Sequence, residues 1–372
     1  MNNSDTNIVI IGSGKATFLH INAILKIWKP YESPTVFIQT GNIVDPDLYK
    51  IVSKKEYPVS FIAGFDSLSL DTHKTIIDIC TPTAIHRDVV EKAICKKFTQ
   101  IMIEKPVAMT RKDLEWLESL NVHIKIVENY LYSQATLYLH HYITTRNLYP
   151  IELYSFFCKN RTEDCKNGRG YHMGIPPHVY TIEMPHQLYL STFFFKNTNV
   201  LSSTYNGMFV NENYEPKLGA GYIELEHGSV KNGEKIKSYH FSCLNSEFTI
   251  KCLYMKLSNG ANAQIYYPVS RKQLLSNVII NLPDSNVIVQ NFQQDDMIKR
   301  TYQNLFTALI RDNKGEMNNR ANLNVSNWLV VEAIERGRDS SDFNGADFSI
   351  CKSCTQVRNL LCMKRDFGGE PS

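Results

Sequence analysis

The sequence predicts an α/β protein whose C-terminal part is a second, α+β domain built on a large, mostly antiparallel open sheet, and three observations lead there. The first third alternates short apolar runs with helical stretches, the pattern of a parallel sheet with helical crossovers. From about residue 202 to 290 strand-like segments follow one another with turn residues between them. At 372 residues the chain exceeds one ordinary core, so two domains are expected, 1–128 and 129–338, with a tail at 339–372.

Each element has its own signal. "NIVIIG" is a β-branched apolar run suited to a strand buried on both faces. A helix is expected from Ala16 to Trp28, closed by Pro30. "PTVFIQT" and "PVSFIAG" read as the next strands, "TIIDIC" and "QIMIEK" as two more, with a helix around "HRDVVEKAICKK" between them. "RKDLEWLESL" precedes a further strand at "HIKIVEN". A helical stretch, "SQATLYLHHYITTRN", then leads into the strand "IELYSFF". A loop rich in Gly, Pro and polar residues spans Lys159 to Pro177, and a helix His186 to Phe195. "GYIELEHG", "KSYHFSCL", "FTIKCLYMKLSNG", "AQIYYPV" and "NVIVQNF" form the later sheet. Helices at Asp296–Arg311 and Val325–Arg336 close the second domain.

Composition narrows the partners. A net charge of +3, with no block of like charges, does not suit a nucleic-acid surface, so the expected partner is a small molecule. No apolar run approaches the roughly 20 residues of a membrane span. The start "MNNSDTN" lacks the basic and apolar regions of a signal peptide, so a cytoplasmic protein is expected. The nine cysteines read as reduced thiols. Cys351 and Cys354 have metal-ligand spacing, but only Cys362 follows nearby, so no metal is expected.

The chemistry-bearing residues begin with "GSGKAT", directly after the first strand. Gly12 permits a tight turn, and Gly14 lets backbone approach a pyrophosphate. The helix opening at Lys15 and Ala16 offers unpaired N–H groups and the positive end of its dipole. This is a Rossmann dinucleotide-binding fingerprint, although Thr17 stands at its third glycine position. The second strand ends in Gln39 and Thr40, with no carboxylate until Asp45 and no arginine. NAD and NADP are both admitted, with a lean towards NADP.

"DICTPTAIHRDVV" followed by "IMIEKPVAMT" resembles the Gfo/Idh/MocA oxidoreductase family, in which a Thr-Pro-x-x-x-His turn and a Glu-Lys-Pro motif follow the fourth and fifth Rossmann strands. Here these are Thr81, Pro82 and His86, then Glu104, Lys105 and Pro106, and His20 also suits the family. The resemblance implies that Glu104 contacts the nicotinamide side of the cofactor. Thr81, Pro82 and His86 would shape the cofactor cleft, though His86 also suits a simple packing role. Lys105 ends a buried strand at the carboxyl edge of the sheet, where ligands of open α/β folds sit. Pro106 holds it extended and suits a cis bond. Such a lysine can hydrogen-bond a substrate oxygen.

In the second half, "PPHVYTIEMPHQLYL" carries His178, Glu183 and His186. The family often has an acid-x-x-x-His pair here, whereas Glu183 precedes His186 by three residues and Tyr189 stands where an Asp commonly follows. His186 is the candidate general acid/base, its imidazole kept neutral if Pro185 opens a helix. Glu183 would orient it or occupy the pocket. Asn129 and Tyr130 are placed to line the cleft, and Arg161, Arg169 and His172 could face the substrate, although exposed loop charges are the commoner reading and they are left out of the catalytic set. The function expected is NAD(P)-dependent hydride transfer to or from a carbinol or carbonyl carbon, and the resemblance makes the substrate a sugar, cyclitol or related polar metabolite. The same fold also supports NAD-dependent glycoside hydrolysis, or cofactor binding without chemistry in a regulatory protein. An open sheet with one uncovered face commonly finds a second copy, so a homodimer or homotetramer through the C-terminal sheet is expected.

Overall fold

Residues 6–41, 44–228, 235–270, 273–312 and 323–339 are described by the computed structural model. The first unit runs β1 (Asn7–Ile11), α1 (Lys15–Ile27), β2 (Thr35–Gln39), α2 (Pro46–Ser53), β3 (Val59–Ile62), β4 (Thr75–Ile79), α3 (His86–Cys95), β5 (Gln100–Glu104), α4 (Arg111–Ser119) and β6 (His123–Val127). All six strands are parallel, in the order β3-β2-β1-β4-β5-β6. The strand order reverses between β1 and β4, which opens a crevice at their carboxyl ends. The apolar runs bury both faces: Ile8 and Ile10 join the core under α1, while Val9 and Ile11 join the one under α3 and α4. The helix α2 goes beyond the sequence reading, yet its signal is local. Asp45 caps it by accepting from Asp47 N–H, and Pro46 occupies its first turn.

The chain continues through α5 (Gln134–Thr145), β7 (Pro150–Cys158), α6 (Thr162–Lys166), α7 (Met184–Phe194), β8 (Thr198–Tyr205), β9 (Met208–Val210), β10 (Asn213–Glu215), β11 (Ala220–His227), β12 (Ile236–Cys243), β13 (Ile250–Leu257), β14 (Asn262–Tyr266), β15 (Ser276–Asn281) and β16 (Val287–Phe292). It closes with α8 (Met297–Asp312), α9 (Val325–Arg336) and β17 (Arg338–Asp339). Nine strands form one sheet in the order β16-β15-β14-β13-β7-β12-β11-β8-β17. Its pairings are antiparallel except β7 with β12 and β8 with β17. One face, carrying Leu153, Phe157, Leu253, Met255 and Ile265, is covered by α5 and α7. The opposite face carries Tyr154, Phe156, Phe241 and neighbouring tyrosines.

The last two helices reach back to the first sheet. α8 presents Tyr302, Leu305, Phe306 and Leu309, a stripe at helical spacing, to Ile24 and Trp28 of the first unit. Trp28 meets Phe306 edge-on, ring centres 4.7 Å apart. Leu323 and Val331 enter the core beneath α4 in the same way. Cys351, Cys354 and Cys362 lie outside the described residues.

Candidate active site

The glycine turn closes around a backbone contact. Gly12 has φ +124°, and a Cβ there would lie 2.8 Å from the Cys80 carbonyl oxygen, so only glycine fits. Gly14 faces open space, and a Cβ at that position would meet nothing within 4 Å. It begins α1 without a side-chain cap, and no acidic residue occupies the first turn. The buried hydroxyls of Thr17 and Thr81 have no partner among the described residues. An unblocked helix N-terminus, a side-chain-free approach and two unsatisfied hydroxyls fit the pyrophosphate and ribose of a dinucleotide. The segment after β2 folds back here, with Asp45 N–H donating to Ser13 O and Gly41 N–H to Ser13 Oγ. Lys15 therefore lies between Asp45 (3.5 Å) and Asp47 (3.7 Å). Distance along the chain conceals the return of Asp45 to the glycine turn. Thr40 is fixed at the strand end, its N–H donating to Ile62 O.

Beneath this crevice His20 is fully enclosed. Its Nδ1 bonds Asp78 Oδ2 (2.8 Å) and its Nε2 bonds Glu104 Oε1 (3.1 Å). Burial works against the charge, but Asp78 and neighbouring Cys80 raise the imidazole well above its ordinary value. Both ring nitrogens face carboxylate oxygens, an arrangement that favours the imidazolium, which donates from each. Burial would raise Glu104, yet the bond from His20 holds its carboxyl below the ordinary value. Glu104 Oε2 accepts from Lys105 N–H, which fixes the carboxylate at the strand end.

A cleft of ≈590 Å³ extends from Ala16, on the first turn of α1, towards α7 and β13. Thr81, Glu104 and Lys105 line it from the first sheet, Asn129 and Tyr130 from the segment just past β6, and Glu183, His186 and Lys251 from the elements around the second sheet. The Lys105–Pro106 bond is cis. Lys105 Nζ donates to Ile182 O (2.7 Å), which draws it across to the second domain and leaves two of its three donors for other partners. Burial pushes the Lys105 ammonium below its ordinary value, Glu104 and Glu183 opposing the shift.

The protonation of His186 follows from its neighbours. Tyr189 Oη donates to Asn129 Oδ1 (3.0 Å) and accepts from Tyr130 N–H (3.0 Å). Its one proton is thus committed, so the 2.9 Å bond to His186 Nδ1 has the imidazole as donor. Nε2 then carries the lone pair and has no hydrogen-bond partner among the described residues. Burial and, next, the Lys105 charge hold the imidazole well below its ordinary value, so it is neutral. Tyr130 packs against it, ring centres 4.8 Å apart. Tyr189, three residues past His186, thus fixes its tautomer.

Glu183 does not orient His186. It is 1% exposed and bound by Arg161 and by Lys251 at 3.3 Å. Against the effect of burial, Lys251 and Arg161 hold its carboxyl well below the ordinary range. Arg161 is accordingly no exposed loop residue: its side chain is 16% exposed and lines the cleft, as does Arg169. Lys251 escapes the sequence reading, although its signal is readable. It shares the strand parity of Leu253, Met255 and Leu257, a charge on the face that otherwise enters the core. His86 faces away from any ligand, fully buried between Thr81 O (2.9 Å) and Val107 O (3.2 Å). It therefore shapes the Thr81–Pro82 turn from behind. His178 caps the turn at Tyr180 N–H, and His172 bridges to Ile175; neither lines the cleft.

A doubly wound sheet with a glycine turn at its switch point, opening onto a cleft shared with a large mixed sheet, defines a protein of the dinucleotide-binding Rossmann class. Residues 6–122 match the Gfo/Idh/MocA family, described as an oxidoreductase family with an NAD-binding Rossmann fold. Similar solved structures span the whole fold. UDP-N-acetylglucosamine 3-dehydrogenase from Acidithiobacillus ferrooxidans has TM-score 0.62 at 14% identity, over 89% of this chain and 96% of that one. An oxidoreductase from Agrobacterium radiobacter in complex with NAD+, L-tartaric acid and magnesium has TM-score 0.61 at 14% identity, over 89% and 94%. A Synechocystis biliverdin reductase in complex with biliverdin and NADP+ has TM-score 0.57 at 10% identity, over 89% and 96%. No curated protein matches the sequence. Among the described residues no helix is long and apolar enough to cross a membrane.

Proposed function

We propose that the chain is an NAD(P)-dependent oxidoreductase acting on a carbinol or carbonyl carbon of a sugar, cyclitol or related small polar metabolite. The observation that carries the proposal is the pairing, in one cleft, of Lys105 with a neutral His186 whose free lone pair is on Nε2. Gly12, Gly14, Lys15 and Ala16 would hold the cofactor, with Thr81, Glu104 and Asn129 beside it, and when bound it would supply hydride acceptance or donation. His186 Nε2 takes the proton of the substrate hydroxyl during oxidation and returns it during reduction. Lys105 Nζ donates a hydrogen bond to the same oxygen and favours its developing negative charge. Glu183, locked between Arg161 and Lys251, keeps those two cations in place beside the substrate instead of exchanging protons.

Between the cofactors the proposal leans to NADP, supported by a strand end at Gln39–Thr40 without a carboxylate and by Lys15. Asp45 and Asp47 offset Lys15 and keep the discrimination modest. The tyrosine-rich outer face of the nine-stranded sheet suits a second copy of the chain, as a homodimer or homotetramer whose mass in solution sedimentation measures.

The deciding experiment is kcat against pH for Lys105→Ala, His186→Ala and the double variant, with titration of NAD and NADP as control and as the reading of preference. Each single change should lower kcat by about 10²–10⁴-fold while cofactor affinity stays within about twofold. The double loss should be smaller than the product of the singles, because the two groups act on one oxygen. The acid limb lost in His186→Ala should lie below neutrality, since the imidazole is held below its ordinary value. Full activity in Lys105→Ala overturns the mechanism, as does reduction or oxidation of substrate without bound cofactor.

A further inference from the structure

The substrate half of the cleft holds more positive charge than its carboxylates can offset. Lys105, Lys159, Arg161, Arg169 and Lys251 all line it. Against these five stand Glu183 within the cleft and Asp164 behind it, since the other lining acids Asp295 and Asp296 are taken by Arg300 and Lys26. Glu183 is taken by Arg161 and Lys251. Asp164 is shared by Arg161 (2.6 Å) and Arg169 (2.9 Å). Glu104 is taken by His20. Lys159 has no carboxylate within ion-pair distance among the described residues, and Arg169 has only a shared one. Lys159 also continues the strand face of Leu153, Ser155 and Phe157, just past the end of β7, so the sheet aims it at the cleft. Burial, and then the like charges of Arg161 and Lys251, push its ammonium below the ordinary value, with Asp164 and Glu183 opposing.

A neutral polyol would leave that repulsion in place and cover the cations with groups that cannot neutralise them. An anion removes it. Resting on the oxidoreductase reading above, we propose that the substrate is an anionic polyol or sugar whose carboxylate or phosphate is bound by Lys159 and Arg169, while its reacting carbon lies at Lys105 and His186. Lys159 and Arg169 are then specificity-determining residues, separate from the groups that handle the proton. Arginine and lysine together suit either oxyanion: arginine offers a planar fork of donors and lysine a compact point charge.

The test uses the full chain, with and without saturating cofactor, titrated calorimetrically with two matched pairs: D-gluconate against D-sorbitol, and D-glucose 6-phosphate against D-glucose. Each pair differs by one anionic group. At least one anion should bind about tenfold or more tightly than its neutral partner, the smallest gain expected from a charge-assisted hydrogen bond. A preference for gluconate alone identifies a carboxylate, and one for the sugar phosphate alone a phosphate. The gain should shrink with added salt and fall to about twofold or less in Lys159→Met/Arg169→Met, with NAD and NADP affinity unchanged. If neither anion binds better than its neutral partner, or if the gain survives in the double variant, the anionic substrate is ruled out. Failure of both cofactors to bind overturns the oxidoreductase reading instead, and the titration without cofactor still decides for or against the anion site.

Discussion

Tyr189 shows how one side chain decides the chemistry of another. Its hydroxyl gives its proton to Asn129 and accepts from the Tyr130 amide and from His186 Nδ1, so the lone pair of His186 is left on Nε2. Tyr189→Phe removes that acceptor and leaves the ring free to adopt either tautomer. We expect kcat to fall by about 10–10²-fold, a part of what general base catalysis contributes, with KM little changed. The acid limb of the pH profile should also move, which a purely structural role would not cause. An unchanged kcat and pH profile would remove Tyr189 from the mechanism. The residues of this site differ in how legible they are. Lys105, Glu104 and the glycines stand in contiguous motifs, so the sequence alone places them at strand ends. Tyr189 is visible only as a departure from an expected aspartate. Lys251 and Arg161 belong to a strand and a loop far from His186 in the chain, and only tertiary packing brings them to Glu183.

At the level of elements, α7 carries His186 into position because its buried face is registered by polar bonds as well as by packing. Gln187 meets Ser155, and Ser191, one turn on, meets Ser238. Behind them runs a buried row in which Ser155 bonds His240, His240 bonds Ser238, and Ser238 bonds His227, which in turn bonds Thr198. Burial pushes His240 down to about 3 and His227 down to about 4. Both are therefore neutral in the fold, whereas in the unfolded chain they take up protons near 6.5. The unfolded state binds more protons below that value. Their stabilising contribution is complete above pH 6.5 and is lost as pH falls towards 4 and 3. His240→Gln keeps a hydrogen-bonding group but cannot titrate. Urea unfolding between pH 6 and 4.5 should show its stability falling less steeply than wild type, by about 1.4 kcal/mol per pH unit. Equal slopes would mean that His240 does not control the acid sensitivity. None of this row is legible in the sequence, because alternating serines and histidines on a strand look like solvent-facing residues until a helix is known to cover them. The parallel strands of the first sheet are legible, since burial on both faces leaves an unbroken apolar run. β8 escapes notice because its "TNVLSSTY" is largely polar, and only its pairing with β11 makes it a strand.

Across the whole molecule, the two sheets are joined by packing as well as by the chain. α8 comes from the far end of the chain, yet its apolar stripe covers α1 and its Tyr302 hydroxyl donates to Asp78 (3.2 Å), the residue that anchors His20. The second domain therefore completes the first and reaches the floor of the cofactor crevice. Periodicity announces α8 as a helix, but nothing in the sequence says which sheet its apolar face will meet. Burying a large apolar side chain contributes about 1.5–3 kcal/mol. Four of them on α8 come to roughly 6–12 kcal/mol, comparable with the total stability of an ordinary domain, about 5–15 kcal/mol. A fragment of residues 1–128 should consequently retain secondary structure without a cooperative urea transition, and should bind neither NAD nor NADP measurably. In the full chain, Phe306→Ala leaves a cavity against Trp28 and should cost about 3–5 kcal/mol. That cost should appear as increased protease cleavage within the N-terminal sheet, remote in sequence from the substitution. A fragment of residues 1–128 that unfolds cooperatively and binds cofactor as tightly as the full chain would show the first domain to be self-sufficient. The contact of α8 with α1 would then be a docking of two finished units.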